Sequence, residues 1–316
     1  MLEALVEFLS GIGTAWANHL LSWLSYVIGW LPETIAEPFQ YQFMLRALLT
    51  SLVVGGVCGI LSCYVVLKRW ALLGDAISHA VLPGVAIAYL LGAPMLVGAF
   101  ISGSVTAVGI GFIQRNTRIK EDSAMGLMFT AMFALGVVII SRIATSTHLM
   151  HILFGNVLGV TMATLVTTMY IGAFALGVVL LCYKQFLVYT FDPNHASAIG
   201  MSTGMIHYGL MLLLTLTIVT SLETVGVILV VAMLIIPGAT ASLLTHRLPR
   251  MMAISVLVGI ASTTLGLYFS FRLDVASGGM MVLVAFVIFV IAGLASPVGP
   301  IRQQLRRRAR ADLNAD

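Results

Sequence analysis

Charge is nearly absent from this chain. Asp, Glu, Lys and Arg make up 9% of its 316 residues, against roughly 25% in soluble domains. Cysteine is scarce too. Cys58, Cys63 and Cys182 all fall in apolar stretches and form no C-x-x-C pair, which excludes a disulfide framework and a thiolate metal site. No segment matches the G-x-x-x-x-G-K-[ST] phosphate loop, and none matches the H-E-x-x-H motif of metalloproteases. Any ATP consumed on behalf of this chain must therefore be hydrolysed by another. The net charge of +4 is split among loops and a tail rather than gathered in a stripe, so no nucleic-acid role is expected. Glu3 and Glu7 stand where a signal peptide would be basic, so no cleaved signal is expected.

What is abundant is apolar sequence, 60% hydrophobic with a mean hydropathy of +1.06. Runs of about 18–25 apolar residues mark spanning helices. They fall at 43–67, 70–92, 95–113, 124–141, 161–183, 204–221, 223–244, 251–270 and 279–296. The expectation is an all-α polytopic membrane protein with nine core spans. A further stretch, 4–31, contains Glu7, Asn18 and His19 and reads either as a tenth span or as an interfacial helix. The chain thus divides into an N-terminal extension (1–37), a transmembrane domain (38–298) and a basic tail (299–316).

Simple alternation of the nine spans puts every Lys and Arg except Arg46, Arg142 and Arg272 on one side. By the positive-inside rule that side is cytoplasmic. Residue 42 then lies outside and the C-terminus inside.

One span departs from its apolar surroundings. Trp70 to Gly92 carries Asp75 and His79, four residues apart and so on one helix face. Each is costly in hydrocarbon and tends to face a bundle interior, a cavity or a partner charge. Carboxylate and imidazole are ligand types that suit Mn²⁺, Fe²⁺ and Zn²⁺. Pro83-Gly84 follows and can break the helix to line a cavity. The alternative reading is a hydrogen-bonded pair, joined by Ser78, that only stabilises the bundle.

These residues resemble a known family. P-F-Q-Y-Q-F-M-L-R-A-L-L, then C-G-I-L-S-C-Y-V-V-L-K-R-W-A-L-L-G-D-A-I-S-H-A-V-L-P-G, is similar to the permease of bacterial manganese, iron or zinc ABC importers. F-D-P-N-H-A-S-A-I-G and E-T-V-G-V-I-L-V-V-A-M-L-I-I-P-G-A-T-A continue the match in order, over about residues 38–298. The resemblance implies a type II importer-like permease in the bacterial inner membrane. It implies function as a homodimer or with a close paralogue, alongside a cytoplasmic ATPase dimer and a periplasmic or lipid-anchored metal-binding protein. It also implies that Asp75 and His79 hold the metal in transit, with Mn²⁺ or Fe²⁺ as cargo, Zn²⁺ as the alternative, and no permanently bound cofactor.

The same resemblance makes Asp192, Pro193, Ala196, Ala198 and Gly200 a coupling helix that docks into the ATPase. Their chemistry agrees: Asp192 or Asn194 can cap a short helix and Pro193 suits its first turn, while Ala196, Ala198 and Gly200 are small enough for close docking. Glu223, at the outer start of the 223–244 span, is either an outer-gate carboxylate or a charge complementing a helix N-terminus. His148 and His151 in the outer connection have the spacing of a metal pair, although such residues are often merely interfacial. His19, His207 and His246 have no partner nearby in sequence and read as structural. Gly55 and Gly59 form G-x-x-x-G, a close-packing motif. A stand-alone ion-gradient carrier and an intramembrane metalloenzyme are the competing classes. The first lacks buried carboxylates for a coupling ion, and the second lacks a fuller catalytic motif.

Overall fold

The structure is a computed structural model, and it describes residues 2–30, 32–142 and 157–296. Among them, nine helices are long and apolar enough to cross a membrane. An N-terminal helix, α1 (Leu2–Ile28), precedes them and is followed by α2 (Gln42–Leu67), α3 (Ala71–Ala80), α4 (Leu82–Leu91), α5 (Met95–Asn116), α6 (Glu121–Ile140) and α7 (Met162–Leu181). Two short helices come next, α8 (Tyr183–Phe191) and α9 (Pro193–Ala198). Then come α10 (Thr203–Val225), α11 (Val227–Leu244), α12 (Leu248–Leu273) and α13 (Ser277–Ala295). No strand occurs among the described residues. In hydrocarbon every backbone group must be satisfied within its own segment, so this apolar chain can only be helical where it spans.

The most enclosed span is α2, packed against α7, α11 and α12. The G-x-x-x-G pair makes this possible. A side chain grown from Gly55 would begin 3.0 Å from the Gly259 carbonyl oxygen, and one from Gly59 equally close to that of Ser255. At Gly59 the approach is sealed by the Ser255 hydroxyl, which donates to the Gly59 carbonyl at 2.6 Å. The remaining spans gather through α10, which touches α3, α5 and α7. Outermost are α6 and α13, most of whose surface is open.

One expectation, the break near Pro83, is met, and a second changes. The 70–92 span is two helices, α3 and α4, joined at Val81. Pro83 lies in the first turn of α4 and has no N–H to offer the His79 carbonyl four residues earlier. The second concerns Glu223, expected to begin a span. It lies instead in the last turn of α10, and the chain reverses at Gly226 with φ 82°. A carboxylate at a helix C-terminus is opposed by the macrodipole, so the bland explanation for Glu223 is removed.

The close α2–α12 contact yields a stability test. Gly59→Leu should overpack it and cost about 1–3 kcal/mol, read as a lower melting temperature in detergent. Gly56→Leu, which would meet nothing within 4 Å, is the control and should be near neutral. Equal melting of the two variants would show that the contact is not limiting.

Candidate metal-transit site and cytoplasmic elements

Helix α3 begins at a tight turn. Lys68 closes α2 by donating its N–H to the Tyr64 carbonyl at 2.9 Å. Arg69 then takes a left-handed conformation, φ 60°, and Trp70, with no exposed surface, plugs the bundle. From there Leu73, Gly74, Ala76, Ile77, Ser78 and Ala80 are all buried. Leu72, Asp75 and His79 lie on the one face of α3 that other helices of this chain leave open.

On that face His79 Nε2 lies 3.5 Å from an Asp75 carboxylate oxygen. The distance is at the outer limit of a hydrogen bond, so the two groups adjoin without being locked together. Asp75 is half exposed, and His79 about a third. Ser78 does not join them: its hydroxyl donates to the Gly74 carbonyl of its own helix at 2.8 Å. The His79 ring meets the edges or faces of Phe129 and Phe133 on α6, with centroids 5.5 and 5.8 Å away. These two phenylalanines sit on one of the two least enclosed spans, and no sequence pattern marked them. They fix the imidazole orientation and make an apolar wall beside the carboxylate. No group of three or more His, Cys, Asp or Glu able to share a metal occurs among the described residues. One copy of the chain therefore offers two side-chain ligands here.

The outer half of the span is held by backbone contact. A Cβ on Gly84 of α4 would fall 2.0 Å from the Gly98 carbonyl oxygen on α5, so a side chain at this position would force the two helices apart. Glu223 lies just beyond, in a shallow apolar pocket with Val81, Val85, Met95 and Leu222. It is thus beside the α3–α4 joint and is not brought together with Asp75 and His79. His148 and His151 lie outside the described residues.

At the cytoplasmic end, α9 forms as its residue types require. The Asp192 carboxylate accepts the His195 N–H at 2.9 Å, Pro193 occupies the first turn, and Gly200 closes the helix with φ 83°. At Gly200 glycine supplies the left-handed backbone that the turn requires, and the residue is exposed. Ala196 does not face outward, since it has no exposed surface and packs within the chain. Pro193 and Ala198 remain exposed, as do Phe191 and Ile199, each more than half. Close by, the Lys68 ammonium donates to the Tyr189 carbonyl at 3.0 Å and lies 3.7 Å above its ring. Burial holds that lysine below its usual value, with Glu121 opposing. Burial also pushes the Tyr189 phenol up to about 12, reinforced by Glu121 and opposed by Arg115. Tyr189 is therefore a neutral hydrogen-bonding group at any physiological pH.

Comparison with known proteins assigns the family and agrees with the fold. Residues 40–296 match the ABC 3 transport family, and the chain belongs to that family as a multi-pass membrane permease subunit. It is 50% identical over 270 residues to the chelated iron transport system membrane protein YfeD of Yersinia pestis, covering 85% of this chain and 91% of that one. It is 46% identical over 276 residues to the manganese transport system membrane protein MntB of a Synechocystis strain, covering 87% and 90%. Among solved structures, PsaBC from Streptococcus pneumoniae in complex with Fab superposes with a TM-score of 0.76 at 40% identity, over 87% of this chain and 99% of that one. The family match begins just before α2, so α1 lies outside it.

The cap of α9 can be tested locally. Asp192→Ala should cost about 1 kcal/mol and speed amide hydrogen exchange in 193–200 by about fivefold, with Asp192→Ser restoring most of the protection. Unchanged exchange in Asp192→Ala would show that tertiary contacts, not the cap, hold α9.

Proposed function

We propose that this chain is the membrane-spanning half of an ATP-driven importer for Mn²⁺ or Fe²⁺, with Asp75 and His79 as its transit ligands. The observation that carries this reading is the placement of a carboxylate and an imidazole on the face of a buried spanning helix that the described residues leave open. Two copies of the chain, or one copy and a close paralogue, facing each other across that side would supply two carboxylates and two imidazoles, enough for a hydrated divalent ion. A transit site must release what it binds, and the unlocked 3.5 Å pair suits that need. Relatives named for manganese and for iron transport favour those cargoes over zinc. Partners in the reading are a cytoplasmic ATPase dimer that meets α9 and the exposed Phe191 and Ile199, and an extracytoplasmic metal-binding protein that delivers the ion. Glu223 stands on the outer approach, where it would attract the cation toward the α3–α4 joint.

In the same reading α1 is a tenth span with its N-terminal end in the cytoplasm. Ala17 is fully buried among Leu49, Leu165 and Val166. Deeper along α1, Gly13 presses on Val166 and Tyr170. The two helices therefore run antiparallel, and as much of α1 remains before Gly13 as of α7 after Tyr170. A face bearing Trp16, Trp23 and Trp30, each more than 60% exposed, is left for lipid.

In cells lacking other importers, Asp75→Ala or His79→Ala should reduce manganese uptake at least tenfold while membrane levels stay normal. Wild-type uptake in both variants would remove the transit-site assignment. For α1, a cysteine placed at position 2 should react with a membrane-impermeant maleimide only after the cytoplasmic side is opened; labelling from outside in intact spheroplasts would rule out the tenth span.

A further inference from the structure

Three buried rings join the two working ends of the cytoplasmic half. Tyr189 is on α8, which runs straight into α9; its hydroxyl lies 2.7 Å from His207 Nδ1 on α10. The His207 ring in turn meets Trp70 edge-on, with centroids 5.3 Å apart and planes at 79°. Trp70 immediately precedes α3, and Asp75 follows one and a half turns later on the same helix. Exposure is 7% for Tyr189, 5% for His207 and nil for Trp70. Lys68, one residue from the turn into α3, ties the same tyrosine a second time through its backbone carbonyl.

The joint is also incompletely satisfied. Trp70 Nε1 and His207 Nε2 are both buried and have no hydrogen-bond partner among the described residues, and Thr190 Oγ1 beside Tyr189 is a third such atom. Buried polar groups are normally paired, and leaving one unpaired is costly. Trp70 Nε1 and His207 Nε2 lie at the ring contact itself, and packed side chains of this kind can carry a displacement from one helix to the next.

We propose that Tyr189, His207 and Trp70 are positioning residues that fasten the ATPase-facing α8–α9 unit to the base of the metal-bearing helix α3. Displacement of α9 then moves Trp70 and with it the aim of Asp75 and His79. The inference rests on the transit-site and ATPase-contact readings above. It predicts that the hydrogen bond between Tyr189 and His207 matters for transport per ATP and not for metal binding or hydrolysis themselves.

The test uses the whole transporter, with its ATPase and metal-binding protein, in proteoliposomes. Three quantities are measured for each variant: Mn²⁺ bound without nucleotide, ATP hydrolysed, and Mn²⁺ taken up per ATP. Tyr189→Phe should lower uptake per ATP about fivefold, the scale of one net hydrogen bond, with binding and hydrolysis within about twofold of wild type. His207→Gln, which keeps a polar group for Tyr189, should retain more than half of the coupling. Tyr189→Phe combined with His207→Phe should be no worse than Tyr189→Phe alone, because both remove one interaction. Unchanged uptake per ATP in Tyr189→Phe would overturn the proposal. So would a parallel fall in complex yield, binding and hydrolysis, which would make the rings merely structural. Failure of the underlying reading shows differently, as Asp75→Asn binding Mn²⁺ like wild type, and that result would remove the premise and the proposal together.

Discussion

An ionisable pair inside hydrocarbon has to be given somewhere to face, and the arrangement of this bundle follows from that need. Asp75 and His79 cannot point at lipid without a large penalty. Nor are they buried against their own chain: α3 turns its other sides inward and leaves this one open. The surrounding surface belongs to α6, whose Phe129 and Phe133 meet the imidazole. A face that is polar at its centre and aromatic around it is stable in a membrane only when something polar covers it. A second permease subunit with a shared cation between them satisfies that demand with one interface.

The chemistry then follows from incompleteness. Two ligands from one copy, among the described residues, make no cage; in the proposed reading the ion is held by halves contributed across a boundary, and separating or re-aiming the halves releases it. Strong binding would defeat this. Affinity order also favours Zn²⁺ over Mn²⁺ at nearly any such ligand set, so discrimination among metals falls to the protein that delivers the ion and to how rigidly the two halves meet. Movement of the halves must come from the cytoplasmic side. There α9 is built as a short capped element whose exposed Phe191 and Ile199 flank it, while its one inward residue, Ala196, anchors it to the bundle.

Much of this was legible in the sequence because hydrophobicity and charge act locally. Each of the nine spans coincides with an apolar run, with ends displaced by no more than a few residues, and the four-residue spacing of Asp75 and His79 set them side by side on one face of α3, where they are found. What was not legible depends on contacts between distant segments. Glu223 looked like the start of a span because apolar sequence runs through the α10–α11 reversal; only the backbone at Gly226 shows that a helix ends there. Ala196 and Gly200 looked alike as small docking residues, yet one is buried and the other is needed for a left-handed turn. Trp70, Tyr189 and His207 share no pattern at all, since they meet only through three different helices. The packing of α1 on α7 was hidden for a related reason: its Trp, Asn and Ser content lowers the hydropathy of a helix whose buried stripe, Gly13, Ala17, Leu21 and Leu24, is narrow.

The central claim is that one metal ion is shared by the Asp75–His79 faces of two subunits. Electron paramagnetic resonance of Mn²⁺ titrated into the purified permease measures it directly, by counting bound ions per chain. The account predicts one ion for every two chains, with loss of that signal in both Asp75→Asn and His79→Ala. One ion per chain, or binding that survives both substitutions, would contradict it.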